Sequence, residues 1–393
     1  MFKESVIKLL NRLVDKGYPT YLVGGVVRDY LLGNPSYDYD ATTLATPKII
    51  KDTYKDKCIF SYGEKFGTVA ILDNEDLIEI TTFRTDGAYS DNRHPEDVRF
   101  GKSLEEDVLR RDLTINALAY DIKNNQIIDL VGGIDDLNNK IVRMVGSPVD
   151  RFNEDGLRIL RAIRIASKLN FIIEEVTNKA IFECMEVLDN ISKERITEEI
   201  FKMFKSNFYQ AFNDYFSVFN YLFKDLNKEK NNLFALKVDE DKAVIINLVF
   251  LMLNSNNPKN ILEFFKCEKK IKQIAYKLYS LLGLELVNEV SSARKLMYVY
   301  GQDCIKDLAY LKKIIGKNTI SEEVLNEAIR LGTTNKVLNV DGNDISLSLN
   351  CNKTKIKEYL HIAFNAVSDG IIDNDKESII NYLKGVKLWV FFK

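Results

Sequence analysis

Hydrophobic and polar positions in the first third of the chain repeat with both helical and strand periods. In residues 2–16 the apolar side chains recur three or four positions apart, which predicts an amphipathic helix with one buried face: Val6, Leu9, Leu10, Leu13 and Val14. Residues 21–40 combine an apolar run, a glycine pair, an apolar helical turn and a final alternation, which predicts strand, turn, helix, turn and strand. Residues 59–84 predict two strands joined at residues 74–76.

Helical periodicity dominates the rest of the chain. Residues 104–121 predict an amphipathic helix that carries Arg110, Arg111, Asp112 and Asn116, and we expect the first domain to end near residue 140. Asn153 is expected to cap a long helix with four charged residues on its polar face: Glu154, Asp155, Arg158 and Arg161. From residue 205 onward the pattern is almost wholly helical.

Composition narrows the class of protein. The 393 residues, 46% hydrophobic and 28% charged, suffice for two or three globular domains. The beginning lacks the apolar h-region of a signal peptide, and no apolar stretch reaches membrane length, so we expect no membrane association. The five cysteines are widely spaced without a C-x-x-C motif, which indicates a reduced, cytoplasmic protein. The net charge of −2 does not by itself indicate nucleic-acid binding, and no protein partner is evident.

Residues 21–40 also carry side chains suited to nucleotide chemistry. Gly24 and Gly25 would let the backbone approach a triphosphate closely, and Arg28 could add a charged contact. Asp38 and Asp40 lie two positions apart on a predicted strand and would therefore share a face, an arrangement suited to Mg²⁺. Each motif alone is usually a turn or a solvated pair, but their combination at this spacing favours a nucleotide site.

Glu79 is a candidate third carboxylate. It stands among apolar residues in the second of the two strands predicted in residues 59–84, where an unpaired charge would be costly. If that strand lies beside the Asp38–Asp40 strand, the three acids form one cluster. The spacing alone leaves open whether the two strands are neighbours.

The run GGVVRDYLLG followed by DYD resembles the head of the nucleotidyltransferase superfamily, in its branch of class II tRNA nucleotidyltransferases and bacterial poly(A) polymerases. The resemblance is strong over about the first half of the chain and weak over the remainder. It implies an α+β fold, in which a mixed-sheet, polymerase-beta-like head precedes an all-helical neck, body and tail. The expected divisions are residues 1–140, 141–205, 206–300 and 301–393.

The same resemblance assigns roles to residues further along the chain. EITTFR matches the strand that carries the third catalytic acid, which implies that Glu79 joins Asp38 and Asp40. RRD-x-x-x-NA implies contacts with the ribose and triphosphate of the incoming nucleotide from Arg111, Asp112 and Asn116. The element E-D-x-x-R implies that Asp155 and Arg158 read the base, with Arg161 in the same nucleotide site.

The resemblance also suggests roles for three further parts of the chain, but the motifs there are less specific. Residues 85–100 correspond to a loop associated with nucleotide selection. Gly156 stands where Pro or Ala is more usual and is expected to loosen the first helical turn. Lys193 and Arg195 are candidate tRNA backbone contacts, with a solvated helix face as the equal alternative.

The resemblance therefore implies an enzyme that adds C, C and A to the tRNA 3′ end from CTP and ATP, with a two-metal Mg²⁺ site. A CC-adding or A-adding enzyme and a bacterial poly(A) polymerase remain alternatives. GEKFGTVAI argues against the polymerase, which tends to carry a basic pair before that Phe. A non-catalytic RNA-binding protein is the alternative from another class, and the three acids argue against it.

Overall fold

The computed structural model describes residues 2–36, 38–85, 99–227 and 238–391. The chain divides into two compact units, Met1–Lys224 with Phe264–Lys266, and Asp225–Glu263 with Cys267–Lys393. The four-part division expected from the resemblance stays a prediction.

A seven-stranded sheet forms the centre of the first unit. Its strands are β1 (Thr20–Val23), β2 (Tyr39–Thr43), β3 (Cys58–Phe60), β4 (Thr68–Asp73), β5 (Asp76–Thr82), β8 (Ala119–Asp121) and β9 (Gln126–Ile128). They lie in the order β3-β4-β5-β2-β1-β8-β9. The pair β2–β5 is parallel and the other neighbours are antiparallel, which confirms the predicted mixed sheet. Two small ladders pair β6 (Arg84–Thr85) with β7 (Arg99–Phe100) and β10 (Ile141–Val142) with β11 (Ile172–Ile173).

Helices surround this sheet and continue beyond it. Those of the first unit are α1 (Glu4–Asp15), α2 (Gly25–Leu31), α3 (Pro47–Thr53), α4 (Leu104–Leu109), α5 (Gly133–Asn138), α6 (Pro148–Glu154), α7 (Leu157–Leu169), α8 (Glu175–Glu183), α9 (Lys193–Phe204), α10 (Phe208–Asp214) and α11 (Phe216–Phe223). Helix α1 buries Val6, Leu9, Leu10 and Leu13, as its period predicts. The Tyr54 hydroxyl donates to the Leu9 carbonyl at 2.9 Å and ties α1 to the residue after α3.

The second unit contains helices only, as far as the structure describes it. They are α12 (Ala243–Leu253), α13 (Pro258–Phe264, ending in the first unit), α14 (Lys269–Ser280), α15 (Val290–Tyr300), α16 (Gln302–Ile314), α17 (Glu322–Arg330), α18 (Gly342–Leu349), α19 (Lys353–Ser368) and α20 (Lys376–Phe391). This confirms the predicted helical second half. A capping box of Asp341 and Asp344 begins α18. Among the helices described, none has the length and apolarity needed to cross a bilayer.

The single helix predicted for residues 104–121 is wrong. Helix α4 ends at Leu109, and only a short 3-10 turn, Thr114–Asn116, separates it from β8. The intervening backbone pairs elsewhere, since the Thr114 amide donates to the Arg143 carbonyl at 3.0 Å and the Val145 amide to the Asp112 carbonyl at 2.9 Å. The helical periodicity of this stretch does not lead to a helix, because its backbone bonds instead to residues 143–145, about thirty positions further along the chain.

Candidate active site

Asp40 and Glu79 lie side by side on neighbouring strands. Asp40 in β2 is in register with Glu79 in β5, and since the strands are parallel and in register, both side chains project from the same face. Asp38 directly precedes β2 and is exposed, two positions from Asp40. Tyr39 is buried, 2% exposed, on the opposite side. The structure therefore brings together the three carboxylates that the sequence singled out.

The three acids repel one another electrostatically. Burial, together with the negative charges of Asp38 and Glu79, raises the pKa of Asp40 from its ordinary value of 3.8 to about 6, against the opposing effect of Arg111 and Arg161. Ionisation of Asp40 is therefore less favourable in the protein alone than in water. A cation at the cluster would remove that penalty.

The donor set suits a hard cation that shares its ligands with a substrate. Within the ranges that the structure describes, no three His, Cys, Asp or Glu side chains are arranged to hold a metal ion by themselves. Mg²⁺ typically binds proteins through only one or two carboxylates and takes its other ligands from phosphates and water. The two carboxylates of Asp38 and Asp40 fit that pattern.

Gly24 forms the wall of the site next to Asp40. Its φ of +79° disfavours side chains, and a Cβ there would lie 3.6 Å from Asp40 Oδ2 and 3.8 Å from Arg111 Nη1. Gly25 follows as the first residue of α2. The turn therefore exposes bare backbone between a carboxylate and a guanidinium, which leaves room for an anionic group at this position.

Arg28 contacts protein side chains. It is 3% exposed and donates through Nε and Nη2 to Asp29 Oδ1 at 2.8 and 2.7 Å, and through Nη1 to Asn116 Oδ1 at 2.6 Å. These bonds connect α2 to the 3-10 turn that carries Asn116. The predicted roles of Arg28 and Asn116 in nucleotide binding stay predictions, and the structure places the two residues in direct contact.

Arg111 is held by a carboxylate that the sequence analysis missed. Asp107 in α4 is completely buried and accepts from Arg111 Nη2 at 2.8 Å, from the Arg110 guanidinium and from the Arg84 amide at 3.3 Å. Although burial favours the neutral acid, the two guanidiniums hold the pKa of Asp107 below its ordinary value. Its spacing of three and four residues before the arginine pair is a helical contact pattern that could have identified it.

The Arg111 guanidinium reaches the glycine turn through Nη1, which lies 3.8 Å from the position of a Cβ on Gly24. Its Nε–H is buried and has no acceptor among the described residues. An anion beside Gly24 could accept a charge-assisted hydrogen bond from this guanidinium.

Asp112 forms an ion pair with Arg161. Arg161 Nε donates to Asp112 Oδ2 at 2.7 Å, and the Leu113 amide donates to Asp112 Oδ1 at 2.8 Å. Burial alone would raise the pKa of Asp112, but the charge of Arg161 and these hydrogen bonds hold it well below its usual range. The pair connects the turn after α4 to α7. Asp112 and Arg161 stay candidate nucleotide contacts, and each is bonded to the other.

The base-reading segment contains two helices instead of the long one predicted. Ser147 caps α6, with Pro148 in its first turn, and the chain is extended at Asp155 before α7 begins. Asn153 therefore lies inside α6 and caps nothing. Asp155 and Arg158 share a backbone hydrogen bond at 3.0 Å, but their side chains have different partners. Arg158 donates to the Glu154 carboxylate and to the Arg151 carbonyl, whereas Asp155 is bound by Arg195.

Gly156 allows a close approach between two parts of the chain. A Cβ at this position would lie 2.8 Å from both Cγ2 and the carbonyl oxygen of Val187. The sequence led us to expect a loosened first turn, and the structure shows a tight contact instead. Since the φ of Gly156 is −60°, backbone conformation does not require glycine here, but packing does.

We therefore expect Gly156→Ala to lower the free energy of unfolding by about 1–3 kcal/mol, because the new methyl group collides with backbone atoms. Urea unfolding measures the change. Without the contact, the same substitution would reduce the entropy of the unfolded chain and stabilise the protein by up to about 1 kcal/mol. A stabilised variant would contradict the packing seen at Val187.

Lys193 and Arg195, the candidate tRNA contacts, differ in their surroundings. Lys193 is exposed, and its Nζ lies 5.5 Å from the centre of the Phe264 ring. Arg195 is engaged with Asp155 and has a side-chain exposure of 21%. The predicted tRNA contacts stay predictions. The nucleotide-selection loop of residues 85–100, with His94, falls mainly in residues 86–98, outside the described residues.

Comparison with known proteins places this site in context. A family model described as "Poly A polymerase head domain" matches residues 20–143, and one described as "Probable RNA and SrmB- binding site of polymerase A" matches residues 170–229. A CCA-adding enzyme of Ligilactobacillus salivarius is 35% identical over 395 residues, covering 98% of this chain and 96% of that protein.

Two solved structures extend the comparison. The Bacillus stearothermophilus CCA-adding enzyme in complex with CTP is 27% identical, with 98% of each chain covered and a TM-score of 0.81. The Thermotoga maritima CCA-adding enzyme complexed with tRNA is 18% identical, with 98% of this chain and 96% of that chain covered and a TM-score of 0.65. The latter similarity is one of fold alone.

Proposed function

The chain belongs to the family of CCA-adding enzymes, and from that membership we propose that it adds C, C and A in turn to the 3′ end of tRNA. The nucleotides come from CTP and ATP, no nucleic-acid template is used, and pyrophosphate is released. The observation that carries the proposal is the in-register pair of Asp40 and Glu79 on parallel strands, with Gly24 and Arg111 against Asp40. Carboxylates for a cation and donors for a triphosphate meet at one place.

Asp38 and Asp40 are the residues that would hold Mg²⁺, with Glu79 as the third acid. When bound, Mg²⁺ lowers the pKa of the tRNA 3′ hydroxyl and stabilises the charge that develops on pyrophosphate. Glu79, level with Asp40 on the adjoining strand, adds negative potential that favours cation binding. Burial and the charges of Asp38 and Glu79, which together raise the pKa of Asp40, are typical of such a site.

The triphosphate is proposed to lie along the Gly24–Gly25 turn. Arg111 Nη1 lies beside this turn, and the guanidinium is held through Nη2 by Asp107. Arg28 and Asn116, bonded to each other, fix the start of α2. Asp112 and Arg161 link the turn after α4 to α7, the helix that also carries Arg158.

Asp155 and Arg158 are proposed to select the base. A carboxylate accepts from the exocyclic amine of C or A, whereas U and G present a carbonyl oxygen at the corresponding position. Selection by protein side chains would remove the need for a template. The helical neck, body and tail (residues 141–205, 206–300 and 301–393) are proposed to bind tRNA by shape and backbone, because A-form RNA offers little sequence information in its deep groove.

The cytoplasm is the proposed compartment. All five cysteines are free thiols, which fits a reducing environment.

The raised pKa of Asp40 predicts a pH effect on the stability of the metal-free protein. Folded Asp40, with a pKa of about 6, keeps its proton at pH values where the unfolded chain has lost it. The folded state therefore binds more protons, and its stability relative to Asp40→Asn should fall as pH rises from about 4 to about 6. Urea unfolding of both proteins in EDTA measures this. A stability difference independent of pH in that window would contradict it.

Single-nucleotide addition distinguishes the proposal from its alternatives. tRNAs that end before CCA, after C and after CC are each given Mg²⁺ with CTP alone or ATP alone. We expect C on the first two and A on the third. Addition of C without A would indicate a CC-adding enzyme. Addition of A alone, and only to the tRNA that ends in CC, would indicate an A-adding enzyme. A long ladder of added A residues would indicate a poly(A) polymerase. Binding of tRNA without any incorporation would overturn the enzymatic proposal.

A further inference from the structure

The side chain of Asp155 is held by a residue from another helix. Its backbone lies between α6 and α7, where its amide donates to the Arg151 carbonyl at 3.3 Å and its carbonyl accepts from the Arg158 amide at 3.0 Å. Arg195 in α9 donates through Nη1 to Asp155 Oδ1 at 3.1 Å and through Nη2 to Oδ2 at 2.7 Å. This two-point contact fixes both the position and the plane of the carboxylate.

Counting acceptor positions shows what the contact leaves available. An ionised carboxylate has about four lone-pair sites, two on each oxygen. Oδ1 of Asp155 accepts from Arg195 and from the Leu157 amide at 3.1 Å, which occupies both of its sites. Oδ2 accepts from Arg195 alone among the described residues. One acceptor site therefore remains, on Oδ2, in an orientation that Arg195 sets.

We propose that Arg195 is a positioning residue for nucleotide selection, which directs the one remaining acceptor site of Asp155 toward the exocyclic amine of the incoming base. The inference rests on the proposed function and specifies how its base-reading residue is controlled. It differs from the tRNA backbone contact expected for Arg195, because both ends of the guanidinium fork are committed to Asp155.

Loss of the two-point contact would release the carboxylate of Asp155. Without Arg195, the carboxylate can rotate about its own bonds, and its free acceptor site no longer has one fixed direction. We expect this to weaken discrimination against UTP more than it weakens catalysis with CTP, because U presents a carbonyl oxygen where C presents an amine.

The test compares CTP with UTP on a tRNA that lacks CCA. The variants are Arg195→Met, Arg195→Lys and, as a charge-loss control on the same helix, Lys202→Met, whose side chain is exposed. For each, kcat/KM with CTP and with UTP and the Kd for tRNA are measured. We expect Arg195→Met to reduce the CTP/UTP ratio roughly tenfold to a hundredfold, the effect of losing one hydrogen bond to a charged group. Arg195→Lys should recover part of the ratio, and Lys202→Met should leave it unchanged.

The outcomes separate this inference from the proposed function. An unchanged CTP/UTP ratio with a raised Kd for tRNA would overturn the inference and identify Arg195 as an RNA contact. An unchanged ratio and an unchanged Kd would also overturn it. If Arg195→Met fails to fold, the CTP/UTP ratio of Arg195→Lys tests the inference. The lysine ammonium binds at one point and cannot reproduce the two-point contact of the guanidinium, so this ratio should still be lower than that of the wild type. A wild-type protein that incorporates no nucleotide would overturn the proposed function itself.

Discussion

Asp40→Asn is expected to reduce nucleotide incorporation on the order of 10³- to 10⁴-fold, because it removes one carboxylate from a group that acts as a unit. The variant should still fold. Ionised Asp40 is disfavoured by burial and by Asp38 and Glu79, so a neutral amide of the same shape should leave the metal-free protein at least as stable at pH 7. Single-turnover incorporation of CTP, with urea unfolding in parallel, measures both effects.

Glu75→Gln is the matched control for Asp40→Asn. Glu75 is an exposed acid in the turn between β4 and β5 of the same sheet, and its loss should change incorporation less than twofold. tRNA binding should survive in both variants, since backbone contacts to RNA do not depend on the carboxylates. Full activity in Asp40→Asn would show that the chemistry occurs elsewhere.

Asp107→Asn is expected to cost about 3 kcal/mol of folding free energy, because it leaves two guanidiniums beside an amide that cannot balance them. Asp107 is completely buried, and the side chains of Arg110 and Arg111 are only 21% and 17% exposed. The release of Arg111 should also raise KM for both CTP and ATP more than it lowers kcat. Urea unfolding and steady-state kinetics measure the two effects.

Asp52→Asn provides the comparison for Asp107→Asn. Asp52 is an exposed acid on α3, and its neutralisation should change stability by no more than about 0.5 kcal/mol. Equal stability losses in the two variants would mean that Asp107 behaves as an ordinary surface charge. A stability loss with unchanged KM would mean that Asp107 supports the fold but does not hold Arg111 for the nucleotide.

The carboxylate cluster could be predicted because its determinants are local. The two-residue spacing of Asp38 and Asp40 and the apolar surroundings of Glu79 are visible in short windows of sequence. Only the adjacency of β2 and β5 was left open by the spacing, and the register of Asp40 with Glu79 confirms it. Gly24 was found for the same reason, since a glycine between an apolar strand and a helix marks a tight turn.

The base-reading segment could not be predicted in full because its partners are distant in sequence. The sequence placed Asp155 and Arg158 on one helix, but the side-chain partner of Asp155 is Arg195, forty residues later. Likewise, Gly156, next to the break before α7, packs against Val187 from a later segment. Periodicity describes the faces of one helix and carries no information about which helix packs against it.

The 3′-end sequence of the product would show whether the protein itself selects C and A. A tRNA that lacks CCA is incubated with the protein, Mg²⁺ and all four nucleoside triphosphates, and the ends are sequenced over time. We expect C, then CC, then CCA, with no further addition and with U and G rare at every position. Mixed bases at these positions, or tails that continue beyond A, would contradict selection of C and A by protein side chains.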